Sequence, residues 1–241
     1  RVFVTRTRTG FARKRYRPPK MLRTPVYIIC SPRPDVGKTL LARLLSEFLL
    51  LQNGFVTAFD INLREPSLLD YLPRLTETAS ISDTRNQMAL MDRLIIDDRV
   101  AKVIDLGLHA FDEFFKVVGE IGLMKEAFRR GVEPIVLYVP DLTRPAAMGW
   151  KMLQDNFAGS NLFMVDNEHV LFGEMPEAFA GARTLKIAAL PPFLKSIIGR
   201  KSFSFTQYLR TSKDPSSELH QWVRANYFSF RDLEIGLRLH G

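Results

Sequence analysis

The chain lacks the features that mark secreted, membrane-spanning or zinc-binding proteins. Its one cysteine, Cys30, cannot form an internal disulfide. No apolar run reaches the ~18 residues of a membrane-spanning helix, and no signal-peptide pattern is visible. The four histidines are scattered without the spacing of zinc ligands. These absences predict a cytoplasmic protein in a reducing compartment.

Acidic residues are missing from the first 23 positions, which contain nine lysines and arginines. The remaining residues carry 25 basic and 26 acidic side chains, so the net charge of +8 comes from this segment. We therefore predict a flexible basic extension over residues 1–23 and a single domain over residues 24–241. The extension could bind nucleic acid through its charge, although a solvated tail is the simpler interpretation.

One stretch combines a short apolar run, residues 26–30, with a proline-containing loop and an apolar helical segment. The junction carries Gly37, Lys38 and Thr39, the second half of a P-loop pattern. At such a junction the backbone N–H groups face phosphate oxygens and the lysine adds positive charge. The threonine hydroxyl suits Mg²⁺. We predict a nucleotide site here; the alternative is an ordinary helix N-terminus that carries a lysine.

The first half of that pattern is altered. Pro32 stands where the P-loop pattern has glycine. Neither Pro32 nor Pro34 has a backbone N–H to donate, and Asp35 adds a negative charge. Each change would weaken phosphate binding in a loop of standard geometry.

Apolar strands alternate with helical patterns along the rest of the chain. Strands are predicted at residues 26–30, 55–60, 102–107, 134–140, 162–167 and 184–190. Helices are predicted after the loop and at residues 86–98, 111–130 with a break near 119–122, 144–157, 203–209, 217–227 and 231–239. Near-continuous apolar strands indicate a mostly parallel α/β sheet with helices on both faces, as in the three-layer P-loop NTPase architecture.

The second and third predicted strands end in Asp60 and Asp105. Carboxylates at the carboxyl ends of such strands lie where open α/β sheets bind ligands.

With these pieces in place, most of residues 24–210 resembles the ParA/MinD family of deviant Walker-type ATPases. The family's Lys-Gly-Gly-Val-Gly-Lys-Thr corresponds to Arg33-Pro34-Asp35-Val36-Gly37-Lys38-Thr39. Asp60, Asp105 and the run Val165-Asp166-Asn167 are similar to the family's strand ends. The stretch Leu190-Pro191-Pro192 looks like the loop that closes over the base.

The resemblance implies ATP and Mg²⁺ as cofactors, with weak hydrolysis coupled to dimerisation or to positioning of an unidentified protein partner. Catalytic roles are implied for Lys38, Asp60 and Arg33, and Mg²⁺ ligation for Thr39 and, through water, Asp105. It also implies a set of nucleotide-binding residues: Asp35, Val36, Gly37, Lys38, Thr39, Leu40, Asp166 and Pro191. Arg33 takes the place of a lysine that, in the family, reaches the partner's phosphates in an ATP-linked homodimer.

Two alternatives stay open. A non-hydrolytic relative would keep the fold as an interaction module, whereas a dethiobiotin-synthetase-like ligase would phosphorylate a small carboxylate or carbamate. Dethiobiotin synthetases carry an acidic or polar residue at the position of Asp35. The last predicted helix could also lie on a membrane surface, but packing on the domain is favoured.

Overall fold

The computed structural model describes residues 23–62, 67–157, 159–172 and 175–240. Within these ranges seven strands form one sheet in the order β3-β2-β4-β1-β5-β6-β7, and every neighbouring pair is parallel. The predicted α/β architecture is confirmed. The strands are β1 (Thr24–Cys30), β2 (Thr57–Asp60), β3 (Thr76–Thr78), β4 (Lys102–Asp105), β5 (Val132–Tyr138), β6 (Asn161–Asn167) and β7 (Thr184–Ile187).

Helices connect the strands and cover the sheet on both sides. The predicted break between residues 119 and 122 separates two helices, as expected. Within the described ranges the α-helices are α1 (Lys38–Asn53), α2 (Leu68–Tyr71), α3 (Thr84–Leu94), α4 (Phe111–Glu120), α5 (Leu123–Arg129), α6 (Arg144–Asn156), α7 (Lys195–Ile198), α8 (Phe205–Thr211) and α9 (Glu218–His240).

Each face of the sheet has its own apolar core, because side chains alternate along a strand. In β1, Val26 and Ile28 point to one face, where they pack with side chains of α3, α4, α5 and α6. Tyr27 and Ile29 point to the other, where α1, α8 and α9 pack. Both cores are continuous along the sheet, which gives the three layers that the sequence predicts.

Two sequence-based predictions about secondary structure were wrong. A loop was expected at residues 76–85, yet β3 lies there as an edge strand paired with β2 alone. Its Thr-Glu-Thr sequence has no apolar residue to indicate a strand. Two helices were expected after residue 217, but α9 is continuous, because Tyr227, Phe230 and Leu233 remain on the buried face across the expected break.

Of the predicted basic extension, only Arg23 belongs to the described residues. Its guanidinium lies 3.4 Å from the centroid of the Phe128 ring and donates to the Phe128 carbonyl. Arg23 directly precedes β1, so it lies at the amino edge of the sheet. Among the described helices, none combines the length and apolarity needed to cross a membrane.

Candidate functional site

The parallel sheet brings the predicted site residues to one edge. Asp60 and Asp105 end β2 and β4 and are register partners, and Ile29 of β1 pairs with Asp105 on the other side. The loop that follows β1 leads directly into α1. The carboxyl edge therefore places both aspartates beside the N-terminus of α1, where open α/β sheets bind ligands.

Thr39 and Asp105 meet at this edge. The Thr39 hydroxyl donates to Asp105 Oδ2 at 2.6 Å. Asp105 is 1% exposed, whereas Thr39 is half-buried. A hydroxyl and a carboxylate oxygen side by side are the hard oxygen donors that Mg²⁺ prefers. The donor set at this point therefore fits the predicted metal.

Lys38 lies at the start of α1 with its amine turned back over the loop. Its Nζ donates to the Arg33 carbonyl at 2.5 Å. Lys38 is largely buried. Charge at a helix N-terminus adds to the positive end of the helix dipole, so this edge attracts anions.

Gly37 is required for the backbone at this point. Its φ of 94° lies in the left-handed region that favours glycine. A Cβ here would stand 2.9 Å from Asn167 Nδ2. That amide donates to the Val36 carbonyl at 3.0 Å, so the end of β6 supports the loop directly.

The structure shows where the two prolines and the aspartate that depart from the P-loop pattern lie in the loop after β1. Pro32 packs against α6 where Gly149 has no side chain; a Cβ there would lie 3.1 Å from Pro32 Cγ. Pro34 and Asp35 are exposed, and Asp35 has a φ of 53°. Asp35 is thus at the outer turn of the loop, with its carboxylate on the solvent side.

Arg33 is held by an aspartate that sequence analysis missed. Arg33 Nε donates to Asp141 Oδ2 at 2.8 Å, and the backbone N–H of Thr143 donates to Asp141 Oδ1 at 3.0 Å. Burial raises the pKa of Asp141, but hydrogen bonds from Thr143 and Arg33 outweigh it and hold the pKa below its usual value. Asp141 comes shortly after an apolar strand, the same signal that marked Asp60 and Asp105.

The Asp60 carboxylate accepts hydrogen bonds from two backbone N–H groups. Its Oδ1 accepts from the N–H of Asn62 at 2.9 Å and its Oδ2 from the N–H of Leu69 at 3.1 Å. It is 1% exposed. The carboxylate thus ties the end of β2 to the first turn of α2.

Asp166 is the second-to-last residue of β6, and Pro191 follows β7 by four residues. Asp166 is in register with Lys186, and the Pro191 carbonyl accepts from Leu194 at 2.9 Å. Lys195 Nζ lies 2.5 Å from His169 Nε2, which joins the two loops. Val36 is buried and Leu40 half-buried, so their side chains pack inward. Asn167, rather than Asp166, makes the contact with the loop.

No protein-family model matches the chain, and no curated protein is significantly similar to it. The fold and the site geometry therefore carry the functional argument. The all-parallel seven-strand sheet, with helices on both faces and a helix starting at the carboxyl end of its central strand, is compatible with a P-loop NTPase fold and with nucleotide binding.

A groove of about 360 Å³ lies at the opposite edge of the sheet. Its lining includes Phe128 and the starts of β5 and β6, at Glu133 and Asn161. None of the predicted site residues borders it. The groove is therefore unconnected with the chemistry at the carboxyl edge.

The Arg33–Asp141 pair predicts a pH-dependent contribution to stability. Because the folded-state pKa of Asp141 is depressed, its contribution is complete above the ordinary value of about 4 and is lost as the pH falls. Asp141→Asn should lower the free energy of unfolding by about 1 kcal/mol at pH 7, the range of partly exposed ion pairs. Urea denaturation from pH 7 to pH 2.5 measures the difference, which should shrink in acid.

The matched control for this prediction is Asp155→Asn, which removes an exposed carboxylate paired with Lys151. We expect that variant to change stability by only a few tenths of a kcal/mol at any pH. If the difference in unfolding free energy between wild type and Asp141→Asn is the same at pH 7 and at pH 2.5, the charge of Asp141 does not contribute to stability through its ion pair with Arg33.

Proposed function

We propose that the chain binds a nucleoside triphosphate, ATP, together with Mg²⁺ at the carboxyl edge of the sheet. The observation that carries the proposal is the 2.6 Å contact between Thr39 and Asp105, beside Lys38 at the N-terminus of α1. Three residue types that phosphate–magnesium binding needs come together here from two distant parts of the sequence.

The roles follow from the positions of the groups. The N–H groups of the first turn of α1 donate to phosphate oxygens, and Lys38 exchanges the Arg33 carbonyl for a phosphate. Thr39 would hold Mg²⁺ and Asp105 would orient its water ligands, and the ion would neutralise phosphate charge. Arg33 adds a planar cation at the rim of the loop.

The finer proposal is a ParA/MinD-like ATPase with weak hydrolysis and an ATP-linked homodimer that positions a protein partner. It rests on the resemblance around Lys38, Asp60 and Asp105. In this proposal Arg33 leaves Asp141 to reach phosphate, which costs the free energy of that ion pair.

A non-hydrolytic interaction module is the second candidate, and two observations favour it. The carboxylate of Asp60 already accepts two backbone N–H groups and is 1% exposed, so little of it is open to a water. The prolines remove two donors from the loop. In this case nucleotide binding would be weak and hydrolysis absent.

The first experiment is calorimetric titration of the intact chain with ATP and Mg²⁺. We expect micromolar affinity, which corresponds to about −8 kcal/mol. Lys38→Ala should weaken binding more than about a hundredfold, close to 3 kcal/mol, because an ammonium that contacts two phosphates is lost. Lys116→Ala, an exposed lysine on α4, is the matched control and should bind like wild type.

Lys38 is buried, so its replacement can also affect folding. Thermal unfolding without nucleotide therefore checks that the Lys38→Ala variant is folded. GTP in place of ATP tests base preference. Absence of both heat and thermal stabilisation in the wild-type chain would overturn the proposal. Binding without measurable phosphate release would favour the non-hydrolytic candidate over the ATPase.

A further inference from the structure

The long helix α9 has one buried and one exposed face. Its buried face packs on α1, where the rings of Phe48 and Phe230 are 5.6 Å apart between centroids. Its exposed face carries three arginines and two apolar residues, here called the arginine seam: Arg224, Phe228, Arg231, Ile235 and Arg238.

The members of the arginine seam are spaced four, three, four and three residues apart. At 3.6 residues per turn their side chains fall within an arc of about 80° and span about 21 Å along the axis. This 4–3 spacing is that of a coiled-coil seam, in which every position faces a partner helix. In the arginine seam, arginine and apolar side chains alternate along the axis.

The arginine seam is exposed to solvent. Phe228 is 50% and Ile235 43% exposed. The Arg224 guanidinium stacks over Phe228 at 5.6 Å. Among the described residues no carboxylate lies within ion-pair distance of the three seam arginines, although Asp232 flanks the seam and the charge of Arg238 lowers the pKa of Glu234, which burial raises. The seam thus presents a positive, partly apolar surface.

The charge and the residue pattern of the arginine seam limit the kind of molecule that can bind to it. A second copy of α9, or the basic residues 1–22 of this chain, would bring like charges together. A helix bound to a membrane surface inserts a broad apolar face into the lipid, whereas the broad apolar face of α9 is buried against the domain and the seam exposes two apolar side chains, Phe228 and Ile235. Nucleic-acid backbones offer phosphate but no apolar surface at 10 Å intervals for Phe228 and Ile235.

We propose that the arginine seam is a docking surface for an acidic amphipathic helix of a partner protein. Carboxylates of the partner pair with the guanidinium groups of Arg224, Arg231 and Arg238. Apolar side chains of the partner cover Phe228 and Ile235. This surface lies on α9, outside the loop and strand ends of the candidate nucleotide site, so it does not depend on ATP binding.

The test uses a 21-residue model helix whose seam alternates glutamate and leucine with the same 4–3 spacing. Binding to the intact chain is followed by fluorescence anisotropy at low and at physiological salt. Arg224→Glu/Arg231→Glu/Arg238→Glu should weaken binding at least tenfold and should instead bind a lysine-for-glutamate version of the helix. Phe228→Ser/Ile235→Ser should weaken binding by a similar factor.

The control is Lys116→Glu/Lys151→Glu, which reverses two exposed charges on other helices and should leave affinity unchanged. Circular dichroism and thermal unfolding establish that each variant is folded. The proposal is overturned if the glutamate helix does not bind, or if the charge-reversed chain fails to prefer the lysine helix. Seam-dependent binding to phosphatidylserine vesicles or to duplex DNA, with no binding of the glutamate helix, would assign the surface to those partners instead.

Discussion

Replacing Arg43 with Ala is expected to lower the free energy of unfolding by about 3–5 kcal/mol, the cost of breaking a buried ion pair. Arg43 and Glu47 lie on α1, and each is 2% exposed. The Arg43 guanidinium donates to the carbonyls of Ile198, at 2.5 Å, and Phe203. Losing Arg43 therefore removes contacts from α1 to the last residue of α7 and to the segment that follows it.

The same substitution would leave the Glu47 carboxylate buried without a cation. Glu47 Oε2 still accepts from the Ser204 hydroxyl at 2.5 Å and from the Thr206 N–H at 3.0 Å. Those neutral donors do not balance its charge. Arg43 Nε lies 3.9 Å from Glu47 Oε1, and neither atom has a hydrogen-bond partner within the described structure, so the attraction between the two charges is the main compensation at this point.

Urea denaturation measures the change, and Arg129→Ala is the matched control. Arg129 is exposed and paired with Glu126 at 2.7 Å, and its loss should cost far less than the loss of Arg43. Arg43→Met/Glu47→Leu removes both charges and should cost less than Arg43→Ala, because no unpaired charge stays buried. Equal losses for Arg43→Ala and Arg129→Ala would contradict the burial argument.

The buried Arg43–Glu47 ion pair is a feature that the local sequence pattern does not predict. Charged residues on a helix are expected on its solvent side, and nothing near Arg43 in the sequence indicates that the segment around Phe203 covers it. The strands β1, β2 and β4 were predictable because apolar runs are local signals, and Asp60 and Asp105 mark the ends of β2 and β4. The Thr-Glu-Thr strand β3 was not, since pairing with β2 alone decides its structure.

The same limit applies to the candidate site. Gly37, Lys38 and Thr39 were recognisable from spacing, and the meeting of Thr39 with Asp105 follows once the sheet is parallel. The Arg33–Asp141 pair joins positions 108 residues apart, so no local pattern could reveal that the loop's arginine is held within its own chain. Nor could the sequence indicate that Asn167 supports the loop.

Asp60→Ala is the second substitution with a large expected effect, about 2–4 kcal/mol of unfolding free energy. The carboxylate accepts two backbone N–H groups, from Asn62 and Leu69, and is almost fully buried. Hydrogen bonds to charged groups contribute about 1.5–3 kcal/mol each, and buried donors left without an acceptor add a desolvation cost. We expect the Asp60→Ala variant to unfold at a lower urea concentration than wild type, because the end of β2 is no longer tied to the start of α2.

Asp60→Asn separates this structural role from a catalytic one. Its single carbonyl oxygen can still accept one of the two N–H groups, so its stability should lie between wild type and Asp60→Ala. Asp70→Ala, at the more exposed carboxylate of α2 that pairs with Lys201 and accepts from the Ser67 N–H, is the control and should cost less than Asp60→Ala. Unchanged stability in Asp60→Ala would refute the anchoring role.

The combination of stability and phosphate release then decides how Asp60 acts. If it orients water, Asp60→Asn binds ATP like wild type but releases phosphate much more slowly, at a temperature where both are folded. If it only ties the end of β2 to the start of α2, phosphate release in Asp60→Asn follows the fraction of folded protein. The two hydrogen bonds and the burial of Asp60 favour the second result, because an almost fully buried carboxylate that already holds two backbone N–H groups leaves little room for a water.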